Sequence, residues 1–250
     1  MAASLVAVPL TIAESTQGKF ALSITVGATQ DRDHHTAQQI ITAIKHAQTP
    51  ETVQLWIEQA SDQDDQFAST LGFTPYRDLW RMQRTLPTQR STIRTRAFVP
   101  DKDNEACLEI NNRAFYWHPE QGDMTNQGLL ERMSQGWFDP EGFRLYEQDG
   151  RLVGFCWTKT HLQETPPAGE VYAIAVDPNF HGKGLGKQIT LSGLDYLSQQ
   201  GLKVGFLYVE SNNETAVAVY SSLGFAHHST NRAYRITALT HQNVQQVFTA

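Results

Sequence analysis

The sequence predicts an α/β (α+β) fold, with a mixed central sheet flanked by helices and a similar unit present twice. Strand-like apolar runs alternate with helical segments along the chain. In both halves a strand and a helix lead into Leu-Gly-Phe, ending at Phe73 and at Phe225, and Glu58 and Glu210 stand at the same distance before it. A glycine that closes a helix before a buried aromatic is common by chance. The ordered elements around both copies favour a duplicated domain.

Composition limits the classes of function. With 250 residues, of which 40% are hydrophobic, the chain can bury the core of one large domain or of two ordinary ones. The net charge of −6 argues against a general binder of nucleic acids or of anionic membranes. The two cysteines, Cys107 and Cys156, have neither a metal-binding nor a disulfide pattern. The start of the chain lacks the features of a signal peptide, and no stretch has the length of a membrane span. We therefore expect a cytoplasmic protein without a metal. We also expect a monomer, although composition does not decide the oligomeric state.

The first half has few strands and no sign of an anion site. The pattern predicts strands at 20–26 and 53–58, helices at 36–47 and up to Leu71, and a last strand to residue 86. The turn after the first of these strands has no glycine spacing and carries Asp31 and Asp33, which would repel a pyrophosphate. We expect residues 1–88 to form a truncated, degenerate copy of the unit in residues 89–250, with a linker from residue 87.

The second half is predicted in more detail. Asp149-Gly150 is a turn signal between two strand-like runs, so a hairpin is expected there. An apolar strand beginning near Glu170 stops at Asp177-Pro178 and is followed by a helix. The predicted helices are 103–115, 126–133, 185–200 and 214–223. The predicted strands are one that begins at Ile93, and 143–147, 152–160, 170–176, 204–210 and 233–236.

The turn between the strand at Glu170 and its helix has the features of a phosphate site. Gly182, Gly184 and Gly186 remove side chains where backbone amides must approach an anion, and the helix that follows adds its positive dipole end. Lys183 and Lys187 add full charges. The spacing fits neither the dinucleotide fingerprint nor the nucleotide P-loop, and a plain turn is the alternative.

This turn resembles the pyrophosphate loop of the GCN5-related N-acetyltransferases (GNAT), written [QR]-x-x-G-x-[GA], with His181 in place of the usual Gln or Arg. The resemblance implies a tandem GNAT fold and acetyl transfer from acetyl-CoA to an amine. Backbone amides near Ile174 and Val176 could then bind the thioester if their strand splays from its neighbour. Glu170 could take the amine proton.

Two tyrosines are further candidates. Tyr220 could protonate the leaving thiolate, although a core aromatic at helical spacing is the alternative; the first half has Ala68 at the equivalent place. Tyr208 could offer a hydroxyl to the acceptor, or be an exposed strand residue. Small residues at the start of the helix from Asn213 would allow a cofactor arm to come close.

A denser resemblance covers the whole second half. Residues 111–122, 137–143, 154–161, 169–172 and 207–212 resemble the mycothiol synthase family of tandem acetyltransferases. The family acetylates the cysteinyl amine of the pseudodisaccharide Cys-GlcN-Ins with its C-terminal domain. The resemblance makes Glu170 the base and Tyr220 the acid, and places acceptor contacts at Glu120, Lys159, Glu170 and Tyr208. It assigns acetyl-CoA contacts to Ile174, Ala175, Val176, His181, Gly182, Lys183, Gly184, Leu185, Gly186, Lys187, Asn213, Glu214, Thr215, Ala216, Val217 and Ala218.

Two other functions stay open from the residues alone. One is a GNAT enzyme with a different amine acceptor, such as a peptide N-terminus or an aminoglycoside. The other is a catalytically silent acyl-CoA-binding or scaffold protein. Trp117, His118, Trp137, Trp157 and His161 would suit a sugar-containing ligand, and would equally suit a protein core. The family's first domain can hold a second acetyl-CoA, which we do not expect here because the first half departs from that pattern.

Overall fold

A computed structural model describes residues 11–14, 22–46, 52–116 and 122–237. Ten strands and six α-helices lie in these ranges: β1 (Thr11–Glu14), β2 (Leu22–Val26), α1 (His34–His46), β3 (Thr52–Ile57), α2 (Asp62–Thr70), β4 (Thr74–Thr85), β5 (Arg96–Ala97), α3 (Asn104–Ala114), α4 (Asn126–Met133), β6 (Phe143–Gln148), β7 (Arg151–His161), β8 (Ala168–Val176), α5 (Leu185–Gln199), β9 (Val204–Glu210), α6 (Glu214–Ser222) and β10 (Ala226–Thr237).

The chain divides into two compact units. Of the described residues, the first unit contains those up to Trp80, Glu210–Asn212 and those from Ser229 onward. The second contains Arg81–Val209 and Asn213–His228. The duplication suggested by the sequence, and the boundary at residue 88, stay predictions. No helix in the described ranges has both the length and the apolar character needed to cross a membrane.

The first unit has a mixed sheet. β1 and β2 are antiparallel, β2 and β3 are parallel, and β3 pairs antiparallel with β10. Alternate residues of β2 are buried, which is the period-two pattern of a strand with one face in the core. Ile40, Ile41 and Ile44 of α1 lie in the same core as the strands because they share one helical face. The sequence did not predict β1 or the pairing of β10 with β3.

The second unit also has a mixed sheet, in the order β9-β8-β7-β6-β5. β8 and β9 are parallel, and the other neighbours are antiparallel. The predicted hairpin is confirmed: Asp149 and Gly150 both have positive φ, as a two-residue type I′ turn between β6 and β7 requires.

Helices cover both faces of this second sheet. On one face, α3 and α4 contribute Cys107, Ile110 and Leu129 to a core with Phe143 and Trp157. On the other, α5 lies so close to β7 that a Cβ at Gly193 would stand 2.3 Å from the Cys156 Sγ atom. Successive residues of β7 therefore alternate between the two helical layers. This alternation decides which side chains can share a site.

Candidate active site

The central strand β8 separates from its parallel neighbour half-way along its length. Pairing with β9 runs from Ala168 to Val171, whereas pairing with β7 continues to Val176. The register with β7 shifts between Trp157 and Thr158, so Tyr172 is an extra residue on β8 and forms a bulge. Along the rest of β8, the edge that faces β9 pairs with no other strand in the described part of the chain. The splaying that thioester binding requires is therefore present at Ile174 and Val176.

The chain leaves β8 through a turn that several hydrogen bonds hold in place. The Asp177 carboxylate is almost fully buried and accepts a hydrogen bond from the Asn179 amide at 2.9 Å. The same carboxylate accepts two bonds from the Arg113 guanidinium, at 2.9 and 3.1 Å. The Nε2 atom of His181 lies 3.0 Å from the carbonyl oxygen of Val176, so this side chain links the turn to the end of β8. His181 therefore has a structural contact as well as its predicted place in the cofactor loop.

The helix that follows begins with its backbone donors exposed. Gly184 is the N-cap of α5 and has φ of 73°, a left-handed conformation that favours glycine, and no side chain caps the helix. Amides in a first helical turn have no acceptor within the helix. Gly186 has open space around it, because a Cβ there would meet nothing within 4 Å. The end of α5 thus offers unblocked donors and the positive end of the helix dipole to an anion.

The corresponding turn of the first unit is filled by its own side chains. The Arg32 guanidinium donates to the carbonyl oxygens of Gly27 and Gln30 and to the Asp64 carboxylate. Asp33 accepts a hydrogen bond at 2.9 Å from the Thr36 amide in the first turn of α1, and this bond lowers the pKa of Asp33. One amide of the first turn of α1 is thus satisfied by a capping side chain, which α5 lacks.

The candidate base lies on the sheet face that carries α3 and α4. Glu170 is buried, with 7% of its surface exposed. Its Oε2 atom lies 2.7 Å from Nε2 of His161. Lys159 is the direct cross-strand partner of Glu170, so both side chains stand on one face of the sheet. The structure thus brings together Lys159 and Glu170, which the sequence proposed separately, and places His161, a sequence candidate for a sugar-containing ligand, in contact with Glu170.

Aromatic rings surround this group. The Lys159 Nζ atom lies 5.0 Å from the centre of the Trp137 ring and 5.9 Å from that of Tyr172, both within the range of a cation–π contact. On the side of β9, Tyr208 is 40% exposed and meets Phe206 edge to face, with ring centres 5.8 Å apart. Predicted acceptor contacts Lys159, Glu170 and Tyr208 therefore lie around one aromatic-lined surface.

A small cavity adjoins this surface. Its volume is about 80 Å³, and it lies between α3, α4 and the face of β7 and β8. Tyr172, Ala173 and Arg132 are among its lining residues, and the Arg132 Nε atom donates to the Tyr172 hydroxyl at 3.3 Å. The face of the sheet beside the proposed base is thus not completely filled by the protein.

Helix α6 carries the candidate acid. Asn213 caps this helix by accepting from the Ala216 amide at 3.1 Å. Among the predicted cofactor contacts on this helix, Glu214, Thr215 and Ala218 are exposed, and Ala216 and Val217 are partly exposed. The Tyr220 ring packs 6.0 Å from that of Phe225. Burial, with a smaller contribution from Cys156, raises the pKa of Tyr220. A phenol is protonated at neutral pH even at its ordinary pKa of about 10, so Tyr220 has a proton to donate.

Some predicted residues cannot be placed. Glu120, Trp117 and His118 lie outside the described residues. Trp157 is a core residue stacked on Phe143 at 4.6 Å, so for this tryptophan the core alternative is correct. Within the described ranges, no group of three or more histidine, cysteine or acidic side chains could hold a metal ion.

Comparison with known proteins identifies the family. Residues 104–225 match the model of the acetyltransferase (GNAT) family. The mycothiol acetyltransferase of Streptomyces griseus is 38% identical over 212 residues, which cover 82% of this chain and 68% of that protein. The chain belongs to the mycothiol acetyltransferase family. The family member from Streptomyces avermitilis is 43% identical over 196 residues, 76% of this chain and 63% of its own length. The chain thus spans less than two thirds of several relatives, including this one.

Solved structures confirm the predicted fold class of this family member. A GCN5-related N-acetyltransferase from Sphaerobacter thermophilus superposes with a TM-score of 0.69 at 22% identity, over 91% of this chain and 75% of that one. A tandem GNAT protein from the clavulanic acid biosynthesis pathway gives 0.62 at 15% identity, over 86% of this chain and 74% of that one. At these identities the likeness concerns the fold alone.

Proposed function

We propose that the chain is an acetyl-CoA-dependent N-acetyltransferase that acetylates the cysteinyl amine of Cys-GlcN-Ins, forming mycothiol and CoA. The observation that supports it most is the unit formed by β8, its turn and α5. This unit combines an unpaired strand edge, a helix N-terminus without a side-chain cap, and a buried carboxylate on the same strand. The name shared by the relatives supports the choice of acceptor.

The residues present suit acetyl-CoA, which would supply the thioester whose acetyl group is transferred. The amides at the start of α5 and the cations of Lys183 and Lys187 would hold its pyrophosphate. The free edge of β8 near Ile174 and Val176 would hold its pantetheine arm by backbone hydrogen bonds, as an added strand would. The open face of α6 would flank the arm on its other side.

The chemistry requires one proton acceptor and one proton donor. Overall, R–NH₃⁺ and acetyl–SCoA give the amide, HS–CoA and a proton. Glu170 would take the proton from the ammonium, which frees the nitrogen lone pair for attack on the thioester carbon. The C–N bond forms, the C–S bond breaks, and the thiolate would receive a proton from Tyr220. The second proton that the nitrogen loses would return to the Tyr220 phenolate through solvent, and the proton on Glu170 would be released to water. An α-amine has a pKa of about 8, so Glu170 needs to move the equilibrium only slightly at neutral pH.

We propose that the first unit holds no second acetyl-CoA, since Arg32 and Asp33 fill the equivalent turn. Its origin as a truncated copy of the second unit, with domains at 1–88 and 89–250, is part of the same proposal. A cytoplasmic location and a monomeric state also stay proposals.

The test combines product analysis with binding. The purified chain is incubated with acetyl-CoA and either Cys-GlcN-Ins, a peptide with a free N-terminus, or an aminoglycoside, and acetylated products are measured by mass spectrometry. We expect mycothiol alone. Glu170→Gln should lower kcat by about 10²-fold or more, the usual contribution of a general base, with an unchanged Kd for acetyl-CoA. The exposed Glu105→Gln on α3 is the matched control.

Three results would count against the proposal. If the peptide or the aminoglycoside were acetylated in preference to Cys-GlcN-Ins, the proposed acceptor would be wrong. Binding of acetyl-CoA without any product would favour a silent binding protein. Full activity in Glu170→Gln would remove this residue as the base.

A further inference from the structure

Glu170 is buried but is not left without a polar contact. His161 lies two residues beyond Lys159 on β7, and therefore on the same sheet face as Glu170. The distance of 2.7 Å between His161 Nε2 and Glu170 Oε2 is that of a short, charge-assisted hydrogen bond. An ionised carboxylate only accepts hydrogen bonds, so the carboxylate that can take up a proton requires the hydrogen on Nε2 of His161.

The imidazole is itself held in place from two sides. Its ring packs against Phe206 with centres 5.1 Å apart, and the Arg81 guanidinium lies 4.0 Å from the centre of that same phenyl ring. Its Nδ1 atom lies 3.8 Å from Oε1 of Glu164, within ion-pair range but too far for a hydrogen bond. Glu164 in turn accepts from Arg81 at 2.6 Å. Side-chain exposure rises from 9% at Glu170 to 24% at His161 and 38% at Glu164.

We propose that His161 is the positioning residue for the base: its Nε2–H holds Oε2 of Glu170 and leaves the second carboxylate oxygen to the acceptor ammonium. This inference rests on the proposed function. Lys159, the cross-strand neighbour of Glu170, carries a positive charge near Trp137 and Tyr172, and Arg81 and Glu164 are the other charged groups around the imidazole. His161 supplies a directed donor that fixes one oxygen and does not itself contact the acceptor.

This role differs from simple packing in a way that can be measured. Glutamine can place an amide N–H near the position of Nε2, whereas leucine fills similar space without a donor. A positioning role requires that His161→Gln keep most of the activity and that His161→Leu lose it. A role in packing alone predicts that both substitutions act alike.

The first arm of the experiment is kinetic. Folding of each variant is checked by its thermal midpoint, and acetyl-CoA affinity by calorimetry. We expect His161→Leu to lower kcat at least 20-fold with the acetyl-CoA Kd within twofold of wild type, and His161→Gln to stay within about fivefold in kcat. His228→Leu, an exposed histidine on β10, is the control. Equal losses in the Gln and Leu variants, or no loss in Leu, would overturn the positioning role.

The second arm needs no acceptor and separates this inference from the proposed function. NMR of ¹⁵N-labelled imidazoles in the free protein should show His161 as the Nε2–H tautomer. Exchange of this proton with water should become at least tenfold faster in Glu170→Ala. An Nδ1–H tautomer, or unchanged exchange, would overturn the pairing. If wild type does not acetylate Cys-GlcN-Ins but the NMR result is as expected, the acceptor is wrong and the pairing of His161 with Glu170 stands.

Discussion

Gly186→Ala tests whether α5 binds the pyrophosphate, because the substitution should separate ligand binding from stability. Among the described residues outside its own helical turn, a Cβ at Gly186 would meet no atom within 4 Å, and the residue does not have positive φ. The free protein therefore accommodates alanine without a clash. Since alanine has a better helix propensity than glycine by up to about 1 kcal/mol, the thermal midpoint should stay the same or rise by a few degrees.

The acetyl-CoA complex should respond in the opposite direction. The added methyl group would stand in the first turn of α5, where a phosphate oxygen must approach the backbone amides. Loss of one hydrogen bond to a charged group costs about 1.5–3 kcal/mol. Since about 1.4 kcal/mol corresponds to a factor of ten, Kd should rise roughly 10- to 150-fold.

The assay pairs calorimetric binding of acetyl-CoA with a thermal melt of the same sample. Gly136→Ala is the matched control, because a Cβ there also meets nothing within 4 Å and the residue lies before the proposed site, between α4 and β6. This control should leave both quantities near wild type. An unchanged Kd in Gly186→Ala, with the fold intact, would refute the assignment of the α5 N-terminus as the pyrophosphate site.

Two further predictions concern the buried thiols. Gly193→Ala puts a Cβ 2.3 Å from the Cys156 Sγ atom, so it should lower the free energy of unfolding in urea by about 1–3 kcal/mol. The double variant with Cys156→Ala should recover most of this loss. If it does not, the packing of α5 on β7 is contradicted. Burial raises the pKa of Cys156 to about 12 and also raises that of Cys107, so the unfolded chain ionises first as pH rises. Each thiol should therefore lower the free energy of unfolding by about 1.4 kcal/mol per pH unit from about pH 9 upward. Cys156→Ala should reduce the steepness of this pH dependence; if the wild-type pH dependence is unchanged in this variant, the Cys156 thiol does not contribute to it.

Local patterns predicted the elements around the site well. The bounds of α4 and β9 agree with the prediction, and those of α5 differ by one residue, because hydrophobic periodicity and glycine positions are properties of nearby residues. The turn from Asp149 to Gly150 is equally local. The glycine-spaced start of α5 was therefore visible in the sequence before any tertiary contact was known.

Register and long-range pairing were not visible. The bulge at Tyr172 and the separation of β8 from β9 depend on how three strands align, and no short motif encodes that alignment. The pairing of His161 with Glu170 depends on the same register across the loop that joins β7 and β8. The signal that was available is the alternation of Lys159 and His161 on β7, which places them on one face once the strand is known.

The two helix starts differ in a way that supports an anion site in the second unit and argues against one in the first. In α1, the Asp33 carboxylate caps the first turn, and Arg32 satisfies the carbonyl groups of the preceding loop. In α5, Gly184 supplies no cap. A glycine at this position gives up only a few tenths of a kcal/mol relative to a capping side chain. Where a side chain caps a helix, a backbone amide of the first turn is hydrogen-bonded within the protein and is not available to a ligand. The first-turn amides of α5 have no side-chain cap, so they can donate to a phosphate.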